Sequence, residues 1–249
     1  MINKKKIALV TGSSKGIGNY ISDYLLENDY IVYINGRNLN KISSSKKYKD
    51  KNIKFIESDL CKEGNVKKCL NKIKKNEGCI DLIVSNIGDG KFPTGYNFDI
   101  NTFKRIFDIN FYSSVLISRY AVEYMKETGG QIIFIASIAG CESLPAPIAY
   151  SSAKAALLCY AKNLSKDVAK YNIRVNSISP GNVMFKGSTW DKKLKNNPKE
   201  VKKYIQNNVP LNCFVEPLDI AKSVLFLENN LKITGSNIVI DAGQINKIT

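Results

Sequence analysis

The stretch that decides the fold reads Thr11-Gly12-Ser13-Ser14-Lys15-Gly16-Ile17-Gly18. It follows a short apolar run at residues 7–11 and leads into a helical pattern near 17–28. Glycines at such a junction permit a tight turn and let the backbone approach a diphosphate, which then lies on the helix N-terminus. The turn therefore predicts a dinucleotide-binding strand–turn–helix unit. Its candidate cofactor contacts are Gly12, Ser14, Lys15, Gly16, Ile17 and Gly18.

Strand and helix patterns continue to alternate along the rest of the chain. Apolar, mostly β-branched runs predict strands at 7–11, 31–35, 54–57, 82–85, 131–136, 174–178 and 237–241. Helical patterns lie between them near 17–28, 62–76, 101–127, 150–170 and 217–229. This alternation predicts the α/β class: one doubly wound Rossmann-type domain over residues 1–249, with a seven-stranded parallel sheet and helices on both faces.

Composition excludes several kinds of chemistry. The chain has no histidine, which rules out a Ser-His-Asp triad, a histidine-ligated zinc and an imidazole base. Its six cysteines form no C-x-x-C pair, so we predict no metal site. Proton transfer must therefore use tyrosine, lysine, a carboxylate, cysteine or water.

Charge and hydropathy bound the partners. The formal net charge is +15, but the lysines are scattered and accompany no nucleic-acid-binding motif, so we expect no nucleic-acid partner. No apolar stretch approaches the roughly 20 residues that a membrane-spanning helix needs. We therefore expect no membrane partner and a cytoplasmic protein.

Ligands of open parallel sheets bind beyond the carboxyl ends of the strands. In this sequence those ends carry polar or turn-forming residues, namely Gly12, Asn86, Ser137 and Pro180-Gly181. The functional site is predicted at that edge of the sheet.

The end of the second predicted strand selects between the two nicotinamide cofactors. NAD-binding versions place a carboxylate there for the ribose hydroxyls. Here the strand ends Asn35-Gly36-Arg37 without an acidic residue. Arg37 can grip a 2′-phosphate through two hydrogen bonds, and Lys15 adds a second positive charge. The sequence favours NADP(H) over NAD(H).

Tyr150, Lys154 and Ser137 form the candidate reacting centre. Tyr150 and Lys154 lie one helical turn apart, and Ser137 ends an apolar strand. A phenol with an unperturbed pKa near 10 needs help to exchange a proton at neutral pH. We expect the Lys154 ammonium and an oxidised nicotinamide to lower the pKa of Tyr150, while Ser137 holds the substrate oxygen. Lys154 is also a candidate ligand of the ribose hydroxyls.

Asn110 lies on the inward face of the predicted helix 101–127. A buried polar side chain must find partners or cost a few kcal/mol. We expect Asn110 to order a water near Lys154; a structural amide with satisfied hydrogen bonds is the alternative.

Taken together, these residues resemble the short-chain dehydrogenase/reductase family, in its branch of about the length of this chain. The matching positions, in family order, are Thr11–Gly18, Asp59-Leu60, Asn86 with Gly88, Asn110, Ser137, Tyr150 with Lys154, Pro180-Gly181-Asn182-Val183 and Asp241-Ala242-Gly243.

The resemblance implies roles for several of them. Asp59 is expected to contact the adenine, Asn86 to support the central strand, and Val183 to bind the nicotinamide carboxamide. The candidate cofactor contacts also include Leu60, Asn86, Gly88, Pro180 and Gly181, together with Tyr150 and Lys154. The resemblance also implies a homodimer or homotetramer formed through the helices around 101–127 and 150–170.

One departure from the family pattern concerns the cofactor. The threonine that often stands two positions after Val183 is Phe185 in this chain. Ser188 and Thr189 are the candidate substitutes for that contact.

Residues 182–216 are too long for a simple connection and are interpreted as a substrate lid with a helix near 198–208. Seven lysines between Lys186 and Lys203 suit a phosphate-bearing substrate, and an ordinary solvated helix is the alternative. We expect a small-molecule or carrier-bound carbonyl substrate.

Three functions stay open at this point. One is a reductase of 3-oxoacyl thioesters, similar to β-ketoacyl-acyl-carrier-protein reductases. Another is a reductase or dehydrogenase of a sugar or nucleotide sugar in surface-polysaccharide synthesis. The third is a catalytically idle NADP(H)-binding regulator, which typically loses Tyr150 or Lys154, whereas both are present here.

Overall fold

A computed structural model describes residues 5–39 and 50–247 of the chain. These residues form a seven-stranded sheet in the order β3-β2-β1-β4-β5-β6-β7. Every ladder in it is parallel. The strands are β1 Lys6–Val10, β2 Tyr30–Gly36, β3 Ile53–Glu57, β4 Leu82–Ser85, β5 Gly130–Ile135, β6 Ile173–Pro180 and β7 Asn237–Ile240. The predicted α/β fold class is confirmed.

Helices cover both faces of this sheet. Among the described residues they are α1 Gly16–Glu27, α2 Glu63–Glu77, α3 Ile100–Phe107, α4 Ser113–Met125, α5 Ile148–Val168, α6 Thr189–Asn196, α7 Pro198–Asn208 and α8 Pro217–Asn229. One buried core joins the sheet to α2, α4 and α5, and a second joins its other face to α1 and α8. The central strands are apolar along their length because both of their sides face a core.

The strand order reverses between β1 and β4, which lie side by side at the centre of the sheet. Chains leaving the carboxyl ends of these two strands turn to opposite faces and open a crevice between them. The glycine turn follows β1, and Asn86 follows β4. The topology therefore places the predicted cofactor turn at the switch point.

The predicted helix 101–127 is wrong as a single helix. A π-helical turn at Asp108–Tyr112 separates α3 from α4. Asn110 lies in this turn, and its Nδ2 donates a 3.0 Å hydrogen bond to the Ile106 carbonyl, the group that a regular helix reserves for its own backbone. This competition with the backbone ladder accounts for the local change in winding.

The segment predicted as a lid carries two helices where the sequence predicted one. The prediction near 198–208 is confirmed by α7, while α6 was missed. Ser188 starts α6 by accepting a 3.0 Å hydrogen bond from the Asp191 amide, and Pro198 starts α7. The single domain over residues 1–249 stays a prediction, since residues 1–4, 40–49 and 248–249 lie outside the described part of the chain.

Candidate active site

The glycine turn after β1 has backbone angles that favour glycine. Gly12 and Gly16 have φ values of +60° and +64°. Gly18 is required by packing, because a Cβ there would lie 2.5 Å from Asn86 Nδ2. The glycines thus leave the backbone of the turn accessible to a diphosphate at the N-terminus of α1.

Asn86 and Thr11 fasten this turn to the neighbouring strand. Asn86 Nδ2 donates to the carbonyls of Thr11 and Gly12, each at 3.1 Å. In return the Asn86 amide donates to Thr11 Oγ1 at 2.9 Å. Asn86 therefore shapes the turn from the switch-point side, and Ile17, at the end of the turn, is half-buried.

Asn35 is a turn-organising residue that sequence reasoning missed. It is buried at the end of β2, where its Oδ1 accepts a 3.2 Å hydrogen bond from the Gly12 amide. Its Nδ2 donates to the carbonyls of Ile56 and Ser58 at 3.0 and 3.1 Å. The signal that would have identified it is a polar residue at the carboxyl end of an otherwise apolar strand.

The corner predicted to hold a 2′-phosphate brings the end of β2 beside the glycine turn. A Cβ on Gly36 would lie 2.8 Å from Ser14 Cβ, so the two segments touch. Lys15 and Arg37 are both exposed there. An exposed pair of cations beside a serine hydroxyl is a suitable donor set for a phosphate.

Asp59 lies near the same corner. Its Oδ1 accepts a 3.2 Å hydrogen bond from the Cys61 amide. The pKa of the Cys61 thiol is raised to about 11, chiefly by burial and next by the Asp59 carboxylate, while the charge of Arg37 opposes the rise. Leu60 is 1% exposed, so only its backbone is available to a ligand.

Lys154 is the most deeply buried charged group of the predicted reacting centre, at 3% exposure. Its Nζ donates a 2.9 Å hydrogen bond to the carbonyl of Ile135, near the end of β5. The same atom lies 5.9 Å from the centroid of the Tyr150 ring. Burial lowers the pKa of Lys154 to about 8.

Tyr150 departs from its expected titration. Burial raises the pKa of the Tyr150 phenol, the hydrogen bond with the Ser137 side chain lowers it, and the Asp89 carboxylate raises it. The expected lowering by Lys154 is not seen in the protein alone. The physical reason is that Lys154 Nζ is directed to the Ile135 carbonyl, while burial disfavours the phenolate.

Gly140 holds the Ser137 segment against α5 and was also missed from the sequence. A Cβ at Gly140 would lie 2.6 Å from the carbonyl carbon of Lys154. Ser137 Oγ accepts a 3.2 Å hydrogen bond from the Ala139 amide, which opens the short helical turn Ile138–Gly140. Close backbone approach therefore brings Ser137 to Tyr150, and only glycine permits that approach.

Asn110 fixes the loop that passes over the reacting centre. It is fully buried, its Oδ1 accepts from the Asp89 amide, and its Nδ2 donates to the Asp89 carbonyl, both at 3.0 Å. A Cβ at Gly88 would lie 3.4 Å from Lys154 Nζ, and one at Gly90 would lie 3.8 Å from the Tyr150 ring. Three hydrogen bonds, counting that to Ile106, satisfy the Asn110 amide.

The segment after β6 packs against the residue that follows β7. Pro180 ends the strand, and a Cβ at Gly181 would lie 2.8 Å from Asp241 Cα. Val183 is buried and pairs with Val215.

Phe185 and its two candidate substitutes are also placed by the structure. The ring of Phe185 packs against Gly16. Ser188 is 6% exposed and caps α6, whereas Thr189 is exposed. Ser188 therefore already has a structural use, and its contact with a cofactor stays a prediction.

No three histidine, cysteine or acidic side chains in residues 5–39 and 50–247 converge as metal ligands. Over the same ranges, none of the helices has the length and apolar character that crossing a bilayer demands.

A doubly wound parallel sheet with a glycine turn at its switch point and a Tyr-Lys-Ser cluster beside it defines a class, the dinucleotide-dependent oxidoreductases. Residues 6–196 match the family described as short chain dehydrogenase. The chain belongs to this family.

Relatives support the same assignment over nearly the whole chain. The chain is 33% identical to a 7alpha-hydroxysteroid dehydrogenase of Paraclostridium sordellii, over 96% of this chain and 92% of that protein. It is 31% identical to the 3-oxoacyl-[acyl-carrier-protein] reductase FabG of Rickettsia prowazekii, over 96% and 97% respectively. The solved structure of ElxO with NADP bound superposes with a TM-score of 0.89 at 30% identity, covering 98% of this chain and all of that one (100%).

Proposed function

We propose that this protein is an NADP(H)-dependent oxidoreductase that interconverts a ketone and a secondary alcohol, with Tyr150 as general acid and base. The observation that carries the proposal is the convergence of Ser137, Tyr150 and Lys154 at the carboxyl edge of the sheet, beside the glycine turn. The NADP bound to ElxO, a structural relative over nearly the whole chain, supports the cofactor.

The residues present fit a dinucleotide. Gly12, Gly16 and Gly18 form a cradle in which side chains are excluded by backbone angle or by contact. Arg37 and Lys15 would hold the 2′-phosphate, and Asp59 would face the adenine side. The reduced nicotinamide supplies the hydride when it is bound. Val183 and the exposed loop at Gly88 would border the nicotinamide.

Proton transfer falls to Tyr150. Its raised pKa keeps the phenol protonated at neutral pH, which suits the donor of a proton to a carbonyl oxygen. Ser137, in hydrogen-bond contact with Tyr150, would hold that oxygen beside the hydroxyl. Lys154 would contribute positive charge and ligate the ribose, with Ile135 fixing its Nζ.

The substrate class that we propose is a ketone or the corresponding secondary alcohol. One relative is named as a hydroxysteroid dehydrogenase and another as a 3-oxoacyl carrier-protein reductase. Both names describe the interconversion of a ketone and a secondary alcohol. A 3-oxoacyl thioester is our first candidate, because the exposed lysines of α6 and α7 suit a phosphate-bearing carrier. A keto sugar or nucleotide sugar is the second candidate, favoured by the same lysines. Assembly into a homodimer or homotetramer stays a prediction.

The test measures NADPH and NADH oxidation by the purified protein with an acetoacetyl thioester, keto nucleotide sugars, a keto steroid and simple ketones. We expect turnover with NADPH on at least one member. Tyr150→Phe should abolish turnover while NADPH still binds, whereas Tyr20→Phe, the same change on the exposed face of α1, should leave it unchanged. Tight NADPH binding without turnover on any compound would favour the idle regulator and refute the proposal.

A further inference from the structure

Residues 241–247 follow β7, and we call them the C-terminal strap. The strap contacts both the predicted lid and the loop that follows Ser137. The chain turns sharply there, with φ values of +57° at Ala242 and +85° at Gly243. The Asp241 carboxylate stabilises the turn by accepting hydrogen bonds from the amides of Gly243 at 2.9 Å and Ile245 at 2.8 Å. The strap therefore follows a fixed course across the molecule.

Gln244 joins this strap to both the start and the second helix of the predicted lid. It is 8% exposed, and its Oε1 accepts a 2.7 Å hydrogen bond from Asn182 Nδ2. Its Nε2 donates to the Tyr204 hydroxyl on α7 at 2.9 Å. Asn182 precedes Val183, the predicted nicotinamide contact, so one amide group links the lid to the cofactor side of the site.

The strap also contacts the exit of the lid. The Leu211 amide donates a 3.1 Å hydrogen bond to the Ala242 carbonyl. A Cβ added at Gly243 would lie 3.2 Å from Pro210 Cγ, so the two turns are in contact. Both ends of the lid are therefore held by the same short segment.

On its other side the strap reaches the loop that carries Ser137. Glu142 Oε2 accepts hydrogen bonds from the amides of Asn246 at 2.8 Å and Lys247 at 3.2 Å. Glu142 follows the helical turn Ile138–Gly140 directly after Ser137. The strap is thus a bridge between the predicted lid and the segment that presents Ser137 to the substrate.

We infer that Gln244 is a positioning residue that sets the distance between the lid and the Ser137–Tyr150 pair, and thereby the fit of the carbonyl substrate. The inference rests on the proposed function. Replacing Gln244 by an apolar residue leaves the buried Asn182 amide without this partner and frees Tyr204 from the strap. Unpaired buried amides are costly, so the lid shifts to satisfy them.

The first arm of the test measures steady-state kinetics on the best substrate of the carbonyl panel. Gln244→Met keeps the length of the side chain and removes both hydrogen bonds. We expect KM for the carbonyl to rise about fivefold, with kcat and the NADPH Kd changed less than about twofold. Tyr204→Phe, which removes one of the two bonds, should give a smaller rise in KM. Gln206→Met, the same substitution at an exposed position of α7, is the matched control and should resemble the wild type.

The second arm needs no turnover, because Trp190 is the single tryptophan of the chain. Its ring stacks on Tyr204 with centroids 5.1 Å apart and lies 5.7 Å from Phe214. We expect Gln244→Met to increase acrylamide quenching of Trp190 fluorescence while Gln206→Met leaves it unchanged. Should the wild type reduce no carbonyl, the proposed function fails while this arm still tests the strap.

Two results would overturn the inference. One is quenching and KM in Gln244→Met that match the wild type. The other is an NADPH affinity that falls as much as the carbonyl KM rises, which would assign Gln244 to the whole cofactor site. If Gln244→Met does not fold, Tyr204→Phe supplies the same readouts from the other end of the bond.

Discussion

The ring of Phe185 packs directly on Gly16, so that a Cβ added to this glycine would lie 3.1 and 3.3 Å from two ring carbons. Gly16 is the first residue of α1, where a diphosphate is expected to meet the helix N-terminus. Phe185 lies just after Val183, on the segment that leaves β6. A departure from the family pattern thus becomes a contact between the two sides of the cofactor cleft.

This contact predicts thermodynamic coupling between the two positions. Gly16→Ala should destabilise the protein by about 1–2 kcal/mol from the positive φ alone, with an added cost from displacing the ring. In a Phe185→Ala background the added cost should disappear, giving a coupling of at least about 0.5 kcal/mol in urea unfolding. Gly64→Ala is the control, because a Cβ there meets no atom within 4 Å. Additive effects would refute the contact.

Arg37 is expected to determine the preference for NADPH over NADH. Arg37→Ala should lower the affinity for NADPH by about 10- to 100-fold, because a charge-assisted hydrogen bond to the 2′-phosphate is lost. NADH lacks that phosphate, so its affinity should change little. Fluorescence titration of both cofactors measures the difference, with the exposed Arg105→Ala on α3 as control. Equal losses for the two cofactors would exclude the 2′-phosphate role.

Substitutions at Asp89 and at Ser137 should displace the pH–rate profile in opposite directions. The Asp89 carboxylate raises the pKa of Tyr150 and the Ser137 hydrogen bond lowers it. Alcohol oxidation requires the phenolate, so its rate rises with pH through that pKa. Asp89→Asn should therefore move the rise to lower pH, and Ser137→Ala, on its residual activity, to higher pH. Asp167→Asn, on an exposed position of α5, should leave the profile in place; displacement of both site variants in one direction would contradict the assignment.

The burial of Lys154 should make its contribution to the free energy of unfolding depend on pH. Burial lowers its pKa from 10.5 in the unfolded chain to about 8, so between these values the unfolded state holds a proton that the folded state has released. The free energy of unfolding, relative to Lys154→Met, should therefore rise with pH from about 8 toward 10.5, by up to about 3 kcal/mol. Urea unfolding at pH 7, 8, 9 and 10 measures this difference.

The matched control for that series is Lys162→Met on the same helix. Lys162 also donates to a backbone carbonyl, that of Gly235 at 2.9 Å, but it is exposed. We expect the pH-dependent difference in Lys154→Met only. A flat difference between wild type and Lys154→Met would show that the lysine titrates normally in the folded protein.

Prediction from the sequence worked where the signal is local. Strand positions follow from short β-branched runs, and the Tyr150–Lys154 pair follows from helical spacing. Prediction failed where a partner is distant along the chain. The break at Asn110 depends on the backbone of Asp89, 21 residues away in sequence, which helps to hold the Asn110 side chain where it competes for the Ile106 carbonyl. Gly140 was missed for the same reason, because the backbone that it approaches is that of Lys154 on α5.

The sequence by itself determined the fold class, the edge of the sheet at which the candidate site residues lie and the chemical types gathered there, because alternation and turn chemistry are local properties of the chain. Only the tertiary structure decided that Phe185 covers Gly16, that the C-terminal strap joins the predicted lid through Gln244 and Glu142 through Asn246, and that the pKa of Tyr150 is raised. These properties depend on burial and on distances between residues far apart in sequence, which exist only once the chain has packed.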